Sequence, residues 1–312
     1  MELVAPVALV FPGQGVQRAG MGEQLHRRYP IARGVFERAE AVCGLPLRRL
    51  CFEGSVAELN RTETLQPAVF TVSWAAFEVF QQRHDLGGVR LMAGHSLGEI
   101  AAICAAGATS WEQGLALVQQ RGQLMAEAAR QRPGGMLAIV GLPASTVRRI
   151  CAQAGAHGGL WVANHNADVQ FVLSGEHPAL AAAQALALAA GARRALLLTI
   201  PLPAHSPLMA TAARAFRRLV ERLPLTAPRV PILTNAAGRA VVTGEGLRQE
   251  LGRHLLRPVQ WARTMAGLQR GAVRTVVELG PGRVLAGLAA KHMPGVDTWN
   301  ADELLLQVDD AA

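Results

Sequence analysis

A serine, a histidine and an arginine in this chain have the types and surroundings for acyl chemistry. Ser96 lies in Gly94-His95-Ser96-Leu97-Gly98, a G-x-S-x-G motif. The apolar run Val89-Arg90-Leu91-Met92-Ala93 precedes it and reads as a buried strand, and Glu99 to Ala106 reads as a helix. Strand, sharp turn and helix form the context of a nucleophile elbow. The turn strains the serine backbone and exposes Oγ, and the helix start offers N–H groups to an oxyanion. A Cβ at either glycine would clash with the neighbouring strand or helix.

A serine hydroxyl needs a base. His95 adjoins it, but neighbours at a tight turn usually point apart, so His95 reads as a packing or turn residue. His205 sits in Pro201-Leu202-Pro203-Ala204-His205-Ser206, where two prolines stiffen the chain. Two readings stay open there: a base held in one rotamer, or a helix-start residue beside a Ser206 cap. Arg121 falls on a helix predicted over Trp111 to Arg130, with Ser110 as N-cap and Glu112 in the first turn. A lone arginine in that place reads as a surface charge. Beside Ala116, Val118 and Met125 it could also be a partly buried cation.

The elements that must position these residues alternate between strand-like and helix-like runs, the pattern of an α/β architecture. Val7 to Phe11 is a first buried strand, ended by Pro12-Gly13-Gln14-Gly15. Helices are predicted over Gly20–Arg28, Ile31–Cys43 and Gln66–Arg83, the last with Val69, Val72, Ala76, Val79 and Phe80 on one face. After Pro133-Gly134-Gly135 the order becomes β-α-β-β-α-β: Met136–Val140, Ala144–Gly155, Leu160–Ala163, Gln170–Ser174, Pro178–Ala190, Ala195–Ile200. That order is the ferredoxin-like signature. The expectation is a small inserted domain at 132–201 and a discontinuous main domain at 1–131 and 202–312. The main domain resumes with helix Ser206–Leu223, strand Val230–Thr234, helix Gly244–Arg253 and strand Thr275–Leu279. The last ten residues or so read as frayed. Asn164-His165-Asn166 reads as turn chemistry between two strands, at a place from which it could face the active-site cleft. Gly280-Pro281-Gly282-Arg283 lacks the Walker spacing and lysine and reads as a tight turn.

Composition narrows the function classes. The chain has 312 residues, half of them hydrophobic, and a mean hydropathy of +0.20. The longest apolar run, Ala179 to Ala190, is too short to cross a membrane. The N-terminus shows no basic region of a signal peptide. Four scattered cysteines, Cys43, Cys51, Cys104 and Cys151, read as free thiols in a reducing compartment, and no Cys/His cluster has metal spacing. The net charge is +8, nearly all of it arginine, since Lys291 is the only lysine. An Arg-rich proteome and an anionic partner both account for that charge. Nucleic acid fits poorly: aromatics are 4% and no basic run exceeds two residues.

Six motifs then occur in order: Phe11-Pro12-Gly13-Gln14-Gly15, Gly94-His95-Ser96-Leu97-Gly98-Glu99, Gln120-Arg121-Gly122, Pro203-Ala204-His205-Ser206, Pro258-Val259-Gln260-Trp261 and Glu278-Leu279-Gly280-Pro281-Gly282. Over about Val7 to Met293 the chain closely resembles the malonyl-CoA:acyl carrier protein transacylases and the acyltransferase domains of polyketide synthases. The resemblance implies an α/β-hydrolase-like large domain with a parallel sheet and a ferredoxin-like insert. It implies a ping-pong cycle in which Ser96 takes the acyl group and His205 is the base. An imidazole-orienting backbone carbonyl is placed at Gln260, and oxyanion N–H groups at Gln14 and Leu97. Arg121 would bind the free carboxylate of malonate. Ala204 departs from the phenylalanine or serine of modular synthase domains, which leaves malonyl and methylmalonyl both open. No metal or bound cofactor is expected, malonyl-CoA being the substrate. The expected partners are an acidic phosphopantetheinylated carrier protein and coenzyme A thioester, for a cytoplasmic monomer. Relatives that hydrolyse stalled acyl carriers or serve malonate decarboxylase are the alternatives, together with a non-enzymatic carrier-docking scaffold. Arg121 argues against the hydrolase, and the presence of Ser96, His205 and Gln14 argues against the scaffold.

Overall fold

The computed structural model describes residues 3–306. Ten strands form two sheets: β1 Val7–Phe11, β2 Val89–Gly94, β3 Gly135–Val140, β4 Leu160–Ala167, β5 Gln170–Gly175, β6 Arg194–Leu197, β7 Ile232–Leu233, β8 Ala240–Val241, β9 Thr275–Glu278 and β10 Asp297–Asn300. The larger sheet has the order β10-β9-β1-β2-β7-β8 and is parallel except at the β7–β8 edge. All five residues of β1 are buried, as expected of a parallel strand covered on both faces. Helix Thr62–Arg83 lies against helix Trp111–Gln131 and is buried on nearly every side, not on a single stripe. It also begins one turn before the sequence suggests, so Pro67 lies inside it.

The smaller sheet is antiparallel, order β4-β5-β3-β6, with helices Ala144–Ala154 and His177–Ala189 on one face. This is the expected β-α-β-β-α-β unit. Its strands sort by period two: Leu137 and Ile139 enter a core of their own with Leu173 and Leu180, whereas Met136, Ala138 and Val172 pack toward the large domain. The edge strand β4 does not end at solvent. Val259 of the large domain pairs with it in parallel, its N–H donating to Ala163 O and its carbonyl accepting from His165 N–H, both at 2.8 Å.

Several expectations need correction. Asn164, His165 and Asn166 belong to strand β4; the turn comes at Asp168 and Val169. Their polarity suggests a turn, but Asn164 and Asn166 line a cleft while His165 stacks on Phe171 at 4.5 Å. The segment after His205 opens with a 3-10 turn, Pro207–Met209, and the helix runs Ala210–Arg222; Ser206 Oγ accepts from Leu208 N–H. Helix Trp261–Arg270 is not among the helices expected from the sequence, although Trp261, Thr264, Met265 and Leu268 share its buried face at helical spacing. Residues 301–305 are helical behind an Asn300 capping box and overlap only the start of the tail expected to fray; the rest of that tail, 307–312, lies outside the described residues. No described helix is long and apolar enough to cross a membrane.

Candidate active site

Strands β1 and β2 run side by side, with Phe11 opposite Gly94, so the loops leaving their carboxyl ends meet. His95 N–H donates to Phe11 O at 2.9 Å and closes that meeting point. The glycines of the elbow are fixed by contact. A Cβ on Gly94 would lie 1.9 Å from the Gly98 carbonyl carbon, and one on Gly98 would lie 2.0 Å from Phe11 O. Between them Ser96 has φ 49°, a left-handed conformation costing a non-glycine residue about 1–3 kcal/mol. His205 has φ 57°, so the serine and the histidine singled out for chemistry are both strained.

The geometry joins them. Ser96 Oγ lies 2.8 Å from His205 Nε2. On the other edge of that ring, Nδ1 lies 2.9 Å from Arg257 O and 3.1 Å from His254 O. Carbonyls only accept, so Nδ1 carries the hydrogen and Nε2 is the lone pair facing Ser96. Gln260 does not supply that carbonyl, which corrects the sequence reading. Its carbonyl opens helix Trp261–Arg270 by accepting from Arg263 and Thr264 N–H. The carbonyls that reach the imidazole instead lie in the turn after helix Gly244–Arg253, where neither His254 O nor Arg257 O accepts a backbone N–H among the described residues. Burial, then the Arg121 charge, push the His205 pKa down to about 3, so the imidazole is neutral throughout the physiological range.

Arg121 is not a surface charge; it is fully buried. Nη2 donates to Ser96 Oγ at 3.0 Å and Nη1 to Gln66 Oε1 at 2.6 Å. Its Nε is buried with no partner among the described residues. Burial lowers its pKa to about 9, with Glu99 opposing the fall, and it stays cationic at neutral pH. A buried, unpartnered guanidinium N–H beside a nucleophile fits an anionic group on the acyl unit.

Gln14 Nε2 donates to Thr62 Oγ1 at 2.6 Å, which pins the loop after β1. Neither the Gln14 nor the Leu97 N–H donates a hydrogen bond among the described residues. His95 points away from Ser96 Oγ to Asn166, its Nε2 lying 2.9 Å from Oδ1. A cleft of about 290 Å³ runs between the sheets past Gln14, His95, Asn166 and Gln170. Sequence reasoning missed Gln66, Asn235 and His254, which touch the site from distant segments. Asn235 Oδ1 accepts from Ser96 N–H at 2.7 Å and its Nδ2 donates to Gly94 O at 2.8 Å.

The acyl transferase domain family matches residues 8–298. The malonyl CoA-acyl carrier protein transacylase of Escherichia coli K12 is 37% identical over 297 residues, covering 95% of each chain. The Bacillus subtilis 168 protein of the same name is 34% identical, covering 92% of this chain and 90% of its own. Among solved structures, the malonyl CoA-acyl carrier protein transacylase of Coxiella burnetii superposes with a TM-score of 0.92 at 32% identity, covering 98% of both chains. A malonyl-transacylase in complex with its type II polyketide synthase acyl-carrier protein superposes with a TM-score of 0.90 at 35% identity, over 94% of this chain and 95% of that one.

Proposed function

The chain belongs to the acyl transferase family, and from that premise we propose that Ser96 and His205 are its catalytic pair. The protein transfers a malonyl group from malonyl-CoA to the phosphopantetheine thiol of an acyl carrier protein, for fatty acid or polyketide synthesis. Ser96 Oγ attacks the thioester carbon as its proton passes to His205 Nε2. The tetrahedral oxyanion is met by the Gln14 and Leu97 N–H groups. As the C–S bond breaks, the imidazolium returns its proton to the coenzyme A thiolate, leaving malonyl-Ser96. The carrier thiol then repeats the steps in reverse. Arg121 takes the malonyl carboxylate with its Nε edge and Nη2, while Gln66 holds Nη1 in place. Residues 132–201 form the wall across the cleft, as a domain inserted between 1–131 and 202–312.

The observation that carries this reading is a nucleophile–base bond of 2.8 Å with a buried, half-satisfied arginine on the same oxygen. Intact-protein mass after brief exposure to malonyl-CoA, methylmalonyl-CoA and acetyl-CoA tests it. A malonyl adduct is expected on the wild type, none on Ser96→Ala, and a shift of preference toward acetyl in Arg121→Ala. No malonyl adduct, or free acid released without a carrier, would move the reading to a hydrolase.

A further inference from the structure

Behind the elbow lies a second buried histidine that the transfer steps do not use. His254 is 3% exposed, and its ring stands edge-on to His205 at a centroid distance of 5.9 Å. Its Nε2 lies 3.1 Å from Ser96 O and 3.2 Å from Glu99 Oε2. The Ser96 carbonyl only accepts, as does Glu99 in its carboxylate form, so Nε2 carries the hydrogen and donates between them. The opposite nitrogen, Nδ1, has no partner among the described residues. An imidazole serving only to fill space would leave this lone pair unsatisfied for no return, and an apolar side chain would pack there more cheaply.

The other oxygen of Glu99 accepts from Asn235 N–H at 2.9 Å. The Asn235 side chain in turn holds Ser96 N–H and Gly94 O. A closed ring of contacts thus runs from Ser96 N–H through Asn235, Glu99 and His254 back to Ser96 O. It grips both backbone polar groups of the strained nucleophile. The same His254 presents its own carbonyl to His205 Nδ1, so one residue touches the backbone of the nucleophile and the ring of the base.

We propose that His254 is a positioning residue that sets the Ser96–His205 distance, its imidazole holding the Ser96 carbonyl and its carbonyl the His205 ring, with Glu99 selecting the tautomer that donates. It touches none of the reacting atoms. Its effect is on how often the two that do are in line.

The test is the single-turnover rate of Ser96 malonylation, with KM for malonyl-CoA and the melting temperature alongside. In Glu99→Gln the amide cannot accept from Asn235 and from His254 at once. An N–H group then faces an N–H group, His254 turns to its other tautomer, and Ser96 O loses its donor. The acylation rate should fall about 100-fold, with KM within about threefold. In the double variant Glu99→Gln/His254→Gln, the new amide at 254 can accept from residue 99 and still donate to Ser96 O. It should regain at least about tenfold of the loss, a coupling that a filler residue would not show. A Glu99→Gln rate within about threefold of wild type overturns the proposal, as does a double variant no faster than Glu99→Gln. Should Glu99→Gln not fold, His254→Gln is compared with His254→Met, similar in size: equal rates overturn it, and a tenfold deficit confined to Met supports it. The proposal rests on Ser96 as the acyl acceptor. Loss of that premise shows as an adduct surviving Ser96→Ala, whereas loss of the brace shows only in variants that keep Ser96.

Discussion

Around the large sheet, buried polar side chains gather at one point: Ser96, Glu99, Arg121, His205, Asn235 and His254 are each at most 9% exposed. The core behind the small sheet is Leu137, Ile139, Leu173, Leu180 and Ala183, and the insert's buried polar residues are Ser174 and the two cleft-facing asparagines, Asn164 and Asn166. The large domain therefore holds the charge and the strained backbone, while the insert supplies shape and one direct hold on the elbow, from Asn166 to His95. Strain and buried charge are tolerated where the surrounding contacts over-determine them. Two sheets that share a cleft can thus differ in what a substitution breaks.

Exchanging one residue on each side of the cleft breaks the comparison most directly. His205→Ala should slow Ser96 acylation by about 10³–10⁴-fold. Asn166→Ala should cost less than about tenfold, since His95 loses an acceptor at the cleft rim and no reacting atom is touched. Equal losses in single-turnover assays would mean that the insert takes part in the chemistry. Next in size, Leu173→Ala leaves a cavity in the insert core and should cost about 2–5 kcal/mol in urea unfolding. Below the transition, its acylation rate should stay within about threefold of wild type.

The smallest expected effect concerns acid. His205 and His254 are held neutral by burial, with pKa values below the ordinary histidine range. The unfolded chain takes up protons below about pH 6.5 that these rings refuse, so their contribution is present above 6.5 and lost as pH falls. Glu99 and Glu278 run the other way. Burial raises both to about 7, so their contribution is full below about pH 4.5 and lost as pH rises through 7. His205→Asn removes one term of the first kind, so its melting temperature should drop less than that of wild type between pH 6.5 and 5. A parallel or steeper drop would mean that the ring is not held neutral.

Much of this was legible in the sequence, because it depended on neighbours in sequence. Gly94 and Gly98 flank the serine at the spacing that a strand–turn–helix requires, and the order of short strand-like and helix-like runs exposed the ferredoxin-like insert. What escaped has partners far along the chain. Asn235 meets Ser96 across 139 positions and His254 across 158, and neither stands in a local pattern that announces it. The resemblance places the carbonyl facing His205 at Gln260, within a motif, yet the acceptors come from the unpatterned turn after the preceding helix, His254 and Arg257. Backbone acceptors are independent of residue type, so spacing could not select among them. Arg121 alone reads as a surface charge; its apolar neighbours Ala116, Val118 and Met125 open the buried reading, and the six ordered motifs supply the carboxylate it would bind.

The pairing of Val259 with strand β4 bears on modularity. A ferredoxin-like unit entering and leaving through two chain crossings resembles a cassette, open to exchange between relatives by recombination at those crossings. Here its sheet borrows a further attachment from the host, two residues beyond Arg257, whose carbonyl orients the imidazole. A transplanted insert whose β4 edge presented another register would tug on the base it was never meant to touch. An exchange that kept this pairing would have to carry the insert together with the 257–261 segment, even though more than 50 residues of sequence separate them.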